Sequence, residues 1–340
     1  MNDSSRRRVR VVPLLAACLA AFGAQVAAQV GLDKLAQTTM NFQLVSVSAR
    51  ASALGEAVYA ASTGSEAIFY NPAGMAETRS RFDASVMYTG WIADINYFAG
   101  ALAWDAGDAG TIGLSLLGVD YGTLNATRLV STGSLNTAYE EMGEMSNVGA
   151  YSVGVTYARS ISEQFLVGVT VRYATQNLGE SMTKSGLTKN SVGTMAADLG
   201  VKYYPGLKSF RFAMAFRNFS TQLKREEVYE QLPLTFTIGS AIDLMDFIDP
   251  EHGGETALTV SADFLHSNNY SQRLNFGAEY LMFGTLSLRG GYQTNRDIAS
   301  WSAGVGVMTS LEDVALGVHY SFSRFEYFDG VNRLSLQILF

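Results

Sequence analysis

The chain has 340 residues, a net charge of −7 and 48% hydrophobic residues, with 17 tyrosines, 19 phenylalanines, 33 glycines and only 5 prolines. Its acidic balance argues against nucleic acid as a partner, because phosphate contacts need clustered Lys and Arg. After residue 28 no stretch approaches the ~20 apolar residues of a membrane-spanning helix, so the chain is either a large soluble β protein or a barrel that crosses a membrane with strands.

Arg6, Arg7, Arg8 and Arg10 precede an apolar run over 11–22, and Val26, Ala27 and Ala28 lead to Gln29, the layout of a secretory signal. Residues 15–18 also have the form of a lipoprotein processing site, but the apolar core before them is short and the run continues past them. Cleavage after Ala28 is expected. It removes four arginines and Asp3, so −7 becomes −10, and it removes Cys18, the one cysteine. The remaining chain then has neither a disulfide nor a thiolate metal site.

Residues 42–79 have a grammar of their own. Ala49, Ala53, Ala57 and Ala60 recur at near-helical spacing beside Leu54 and Val58, which predicts a short, tightly packed helix. Ser62, Thr63, Gly64 and Ser65 end it. A second apolar piece, 67–70, runs into Asn71-Pro72-Ala73-Gly74, where Pro72 fixes its own φ and pushes Asn71 out of the helical region. A fixed turn is expected there.

From Arg81 onward, segments of about ten residues alternate between apolar and small or polar side chains, the period of a two-faced strand. Fourteen are counted, near 81–89, 95–104, 110–121, 147–159, 163–176, 191–204, 208–219, 232–243, 255–266, 270–282, 284–294, 297–309, 313–324 and 331–340. Phe210, Phe212, Met214 and Phe216 interleave with Arg211, Ala213, Ala215 and Arg217 in the clearest case. A soluble sandwich would turn the apolar face inward and a membrane barrel would turn it outward. The secretory signal, the even strand count and alternating connection lengths favour the barrel. Connections near 105–109, 160–162, 205–207, 283 and 310–312 are short, whereas those near 122–146, 177–190 and 220–231 are long and fall on the opposite side. The ten-residue connection at 245–254 breaks this pattern.

The last strand presents Leu334, Leu336, Ile338 and the terminal Phe340 on one face, as an outer-membrane assembly signal does. The segment 42–79, with Trp91-Ile92-Ala93-Asp94, resembles the start of the PorV/PorQ family of outer-membrane proteins, relatives of the FadL-type fatty-acid channels. The matching residues are 48–50, Ala53-Leu54-Gly55, Glu56-Ala57, 69–75 and 91–94. Ser48 stands where these relatives usually carry glycine. The resemblance implies a plug over 29–80 with Arg50, Gly55, Asn71, Pro72, Gly74, Trp91 and Asp94 as its signature, and the Asn71 turn holding the plug where the first strand begins.

The three histidines, His252, His266 and His319, have no serine or orienting partner at a telling spacing, so an enzyme is not expected. Asp249, Glu251, His252 and Glu255 could hold a hard cation, but a solvated acidic turn is the plainer account. Gly304 and Gly306 lie in mid-strand with no following helix and are not a phosphate loop. Arg172, Asp198, Lys202, Arg211, Arg217, Asp263, Glu279, Arg289 and Arg333 all fall on the inward face, where they are read mainly as a structural network and alternatively as a transport path.

The expectation is an all-β, fourteen-stranded transmembrane antiparallel β-barrel with a short helical N-terminal plug: signal 1–28, plug 29–80 and barrel 81–340, in the outer membrane after Sec-dependent export. No cofactor is expected. The resemblance implies a non-enzymatic barrel that binds secreted proteins or attachment components in type IX secretion. The alternative is a FadL-like channel for long-chain fatty acids or other hydrophobic small molecules, and outer-membrane lipid surrounds the barrel in either case.

Overall fold

The computed structural model describes residues 38–131, 137–145, 148–183, 186–225, 228–249, 254–296 and 301–340. The expected signal segment and residues 29–37 of the expected plug lie outside the described residues.

The strands are β1 (Phe82–Gly90), β2 (Asn96–Asp105), β3 (Thr111–Asp120), β4 (Asn125–Ser131), β5 (Thr137–Glu144), β6 (Gly149–Ser162), β7 (Phe165–Thr183), β8 (Gly186–Tyr203) and β9 (Arg211–Ser220). They continue as β10 (Leu223–Arg225), β11 (Val228–Glu230), β12 (Thr235–Asp243), β13 (Ala257–Ser267), β14 (Arg273–Met282), β15 (Leu286–Gln293), β16 (Trp301–Leu311), β17 (Val314–Ser323) and β18 (Val331–Leu339). Fourteen of them form a closed antiparallel barrel in which each strand pairs with its neighbour and β18 pairs with β1. Closure satisfies the ladder of both terminal strands, as a lipid-facing sheet requires. At the seam Phe82 and Phe340 exchange backbone hydrogen bonds of 2.8 and 3.0 Å, and their rings stack at 5.1 Å.

The four strands left over are two external hairpins that strand periodicity did not resolve. β4 pairs with β5 inside the connection read as 122–146, and β10 pairs with β11 inside that read as 220–231. β7 and β8, of 19 and 18 residues, exceed the ~10 needed to cross a bilayer and continue outward as a ribbon. These features mark the end with long connections as external and the end with short turns as periplasmic. The ten-residue exception at the periplasmic end contains a single turn of helix, Met245–Ile248. Glu251 and His252 of the acidic cluster lie outside the described residues.

The outer surface is inverted relative to a soluble protein. Val86, Leu114, Val155 and Leu336 are exposed, whereas Ser85, Thr156, Asp198 and Lys202 are buried inside. Large apolar side chains in this position match lipid, which removes the penalty for leaving them outside. Aromatic residues border the apolar band, with Tyr88, Phe98 and Tyr151 toward the external end and Phe82, Trp104, Tyr157 and Phe340 toward the periplasmic end.

Residues 38–80 fill the lumen. The predicted helix is present but shorter than its spacing suggested. It spans Ala49–Ala53 (α1), with Ser48 as N-cap accepting from the Ala51 N–H at 3.1 Å. A side-chain cap of this kind stabilises a helix start by about 1 kcal/mol. Gly55 and Glu56, both with φ above +60°, stop it, so Ala57 and Ala60 lie beyond the helix. Two 3₁₀ segments follow, Ser65–Phe69 and Pro72–Glu77.

Candidate functional site

The inward-facing charges hold the plug more than they hold one another. Arg50 of α1 reaches Glu279 on β14 at 2.9 Å, and Arg289 on β15 reaches the other oxygen of the same carboxylate at 3.4 Å. Asp263 accepts from the Tyr59 N–H at 3.0 Å, Arg211 donates to the Ala60 carbonyl at 3.0 Å, and Arg333 donates to the Ser46 carbonyl at 2.8 Å. Lys202, fully buried, pairs with Glu77 and donates to the Ser62 carbonyl at 2.9 Å. Arg172 pairs with Asp198 and donates to Gln43 at 2.7 Å. Asp263, Arg211, Arg333 and Lys202 thus serve the irregular plug backbone, whose carbonyls and amides would otherwise be buried without ladder bonds, while Glu279 and Arg172 hold plug side chains. Residue spacing showed only which face these side chains take. That their partners on the plug lie more than 100 residues away is a property of the fold.

The signature residues do not form one cluster. Arg50 and Gly55 lie against β14 and β15, where a Cβ on Gly55 would meet the Tyr292 nitrogen at 2.7 Å. Asn71 and Pro72 lie across the lumen against Gly168 of β7 and Gly200 of β8, whereas Gly74 packs on Ser62 and Ala67 of the plug itself. Asn71, an extended residue as expected, caps the second 3₁₀ segment by accepting from the Ala73 N–H, and it donates to the carbonyls of Tyr59 and Val201. The turn is therefore fixed on β8, and the expectation that it holds the plug at the first strand is corrected. That anchor is Ser65, which donates to Asp83 on β1 from both its amide and its hydroxyl. Trp91 stands at the external end, edge-on to Phe325 at 5.3 Å and under the Arg333 guanidinium. Asp94 is exposed in the same turn, and Phe340 closes the seam at the opposite end.

Two environments divide the lumen. Toward the external end Met40, Phe42 and Val47 of the plug pack with Met87, Tyr97, Leu117 and Val119 of the wall and with Leu223 and Leu232 at the foot of β10 and β11. Below it lies a cavity of about 60 Å³ between Val45, Phe69 and Leu265 on its apolar side and Arg172, Arg217 and Gln43 on its polar side. A water takes ~30 Å³ of liquid and a benzene ring occupies a cavity of ~150 Å³, so this space is closed to hydrocarbon while the plug is seated. Beside it the Glu66 carboxyl accepts from the Ser48 hydroxyl at 2.7 Å. Burial pushes Glu66 above the usual carboxylate range, with Arg50 and Ser48 only partly opposing this.

His319 is buried on the lumen side, with Nδ1 3.2 Å from Arg289. Among the described residues no cluster of His, Cys, Asp and Glu has the arrangement of a metal site.

No family model matches the sequence, and no curated protein matches it. Solved structures with a similar fold include the CymD monoaromatic hydrocarbon channel, with TM-score 0.53 and 10% identity over 87% of this chain and 97% of that one. A FadL homologue from Pseudomonas aeruginosa gives 0.52 and 12% over 86% and 97%. The toluene transporter TodX of Pseudomonas putida gives 0.53 and 10% over 85% and 96%. Their names are those of a channel, a FadL homologue and a transporter, and none is named as PorV- or PorQ-type. At these identities the likeness is one of fold alone: the chain is a closed, fourteen-stranded antiparallel β-barrel with the fold of these FadL-like structures.

Proposed function

We propose that this protein is an outer-membrane channel for small hydrophobic molecules, closed in the observed state by its own plug. The observation that carries the reading is the apolar outer half of the lumen, where Met87, Tyr97, Leu117 and Val119 line the interior of the wall. A water-filled porin lines its interior with polar groups. An apolar chamber open to the outside once residues 38–42 withdraw suits a hydrophobic molecule leaving water, at about 25 cal/mol per Å² of apolar surface buried. Arg217, whose Nε has no protein partner among the described residues, lies at the floor of the same space and would receive an acidic head group.

The test is uptake of labelled toluene and labelled oleate by cells whose own channels of this kind are deleted and whose lipopolysaccharide blocks passive entry. The intact protein should raise uptake of at least one of them, and Leu117→Glu should abolish the gain while the barrel still closes. No gain with the intact protein or with a variant lacking residues 38–42 would sink the reading.

The external hairpins favour a second reading. Tyr139 and Met142 on β5 and Val228 and Tyr229 on β11 are exposed apolar anchors among charged neighbours, a composition that suits a protein interface. This is where the secreted-protein or attachment partners implied by the PorV/PorQ resemblance would bind. Shortening 122–146 and 220–231 should then abolish cross-linking to exported proteins without affecting assembly; unchanged cross-linking removes this reading.

A further inference from the structure

We propose that Arg225, at the end of β10, is the latch of the plug's first segment, so that displacing the external hairpin from outside releases residues 38–42 and opens the apolar chamber. The consequence for uptake rests on the channel reading; the latch itself rests on geometry alone. The Thr39 N–H donates to the Gln231 carbonyl at 2.9 Å, and Thr38 forms an isolated parallel bridge with the same residue. Arg225 lies over this junction. Its Nη2 donates to the Thr39 hydroxyl at 3.1 Å and to Gln176 on β7 at 3.3 Å, its Nη1 to the Asn190 carbonyl on β8 at 3.5 Å, and its Nε to Glu230 on β11 at 3.3 Å. One guanidinium thus joins the plug, the β7–β8 ribbon and the hairpin, which suits the planar fork of Arg and not the point charge of Lys.

Three further features make the junction a point of release. Met40 has φ 55°, a left-handed conformation that a side chain adopts only when its surroundings force it. Leu223 and Leu232, at the two feet of the hairpin, are buried in the same apolar cluster as Met40, Phe42 and Val47, so lifting the hairpin also removes the lid of that cluster. From Gln43 onward the plug is held by separate clamps, Arg172 on Gln43 and Arg333 on the Ser46 carbonyl. The upper segment can therefore leave while the rest of the plug stays seated. The strain at Met40 and the shared cluster make hairpin and segment two halves of one element with two arrangements, as a ligand-driven switch requires.

The experiment places a cysteine at buried Val47 in a Cys18→Ser background and follows its modification by a membrane-impermeant thiol reagent on intact cells. Arg225→Ala should speed labelling roughly tenfold or more, the factor expected when a charged donor loses its set of hydrogen bonds. Arg225→Lys should recover only part of the protection. In the opposite direction, Thr38→Cys with Gln231→Cys, oxidised to a disulfide, should slow labelling below that of the unlinked protein and reverse on reduction. This pair leaves Arg225 in place and tests the latch even if Arg225→Ala fails to fold. Unchanged labelling in Arg225→Ala with normal gel migration, or in the oxidised pair, overturns the latch. Faster labelling in Arg225→Ala with no change in uptake of toluene or oleate keeps the latch and overturns the channel reading.

Discussion

Gly55 is held by two constraints at once: φ of +61°, and the β15 backbone so close that an added Cβ would meet the Tyr292 nitrogen at 2.7 Å. Gly55→Ala should therefore weaken seating of α1 by about 1–3 kcal/mol, from left-handed strain and overpacking. The barrel should still close. Faster proteolysis within 48–60 in folded, heat-modifiable protein checks this, and unchanged proteolysis contradicts it. Glu66 gives a residue-scale pH dependence. Its carboxyl has a higher pKa in the seated plug than when free, so it contributes stability fully below the free-Glu value of ~4.3, and that contribution is lost as pH rises through the seated value. Seating should tighten on acidification, and Glu66→Gln should flatten the dependence. Amide exchange of residues 48–70, corrected for intrinsic rates, is the measurement. Equal pH dependence in both proteins would contradict the assignment.

Among the elements, the β7–β8–β9 wall carries a register shift at Asp198, where Asn218 turns to φ +64° and donates its N–H to Asp198 at 2.7 Å. Arg172 supplies the countercharge inside. Removing one partner of a buried pair strands the other, at a cost of about 3–5 kcal/mol. Arg172→Ala should therefore lower the thermal midpoint of the detergent-solubilised barrel clearly, and Arg172→Ala with Asp198→Asn should recover part of the loss. A double variant no better than the single one counts against charge stranding as the cause. At the seam, deletion of Phe340 removes one stacked ring but leaves the other strand pairings intact. Outer-membrane levels should fall far more than the melting temperature of the protein that does insert. Undiminished levels would remove Phe340 from any assembly role.

At the scale of the whole molecule, the closed barrel has no free edge, and its hydrogen bonds resist detergent until heating opens it. Unboiled protein should run at a different apparent mass from boiled protein on a denaturing gel, and identical migration would contradict the closed barrel. The plug does not share this robustness. Its helices are only one or two turns long, and its place is set by charges and glycines scattered over the wall. Release of the plug at a detergent concentration or temperature below that of barrel opening is the expected order.

Fourteen strands, their two faces, the alternation of short and long connections and the strand limits within about four residues were legible in the sequence, except at the outer ends of β7 and β8, which extend into the connection read as 177–190, because period-2 alternation is a local consequence of a sheet with lipid on one side. The extended conformation of Asn71 was legible for the same local reason, through Pro72. Only the tertiary structure showed that the helix stops at Gly55, that Asn71 is fixed on β8 and Ser65 on β1, and that the connections at 122–146 and 220–231 contain hairpins. The inward charges, placed on their face by spacing, found their partners only there. Lys202 and Ser62 are 140 residues apart and Arg333 and Ser46 are 287; barrel closure brings such pairs together, and no local pattern encodes a contact whose two halves belong to different layers of the molecule.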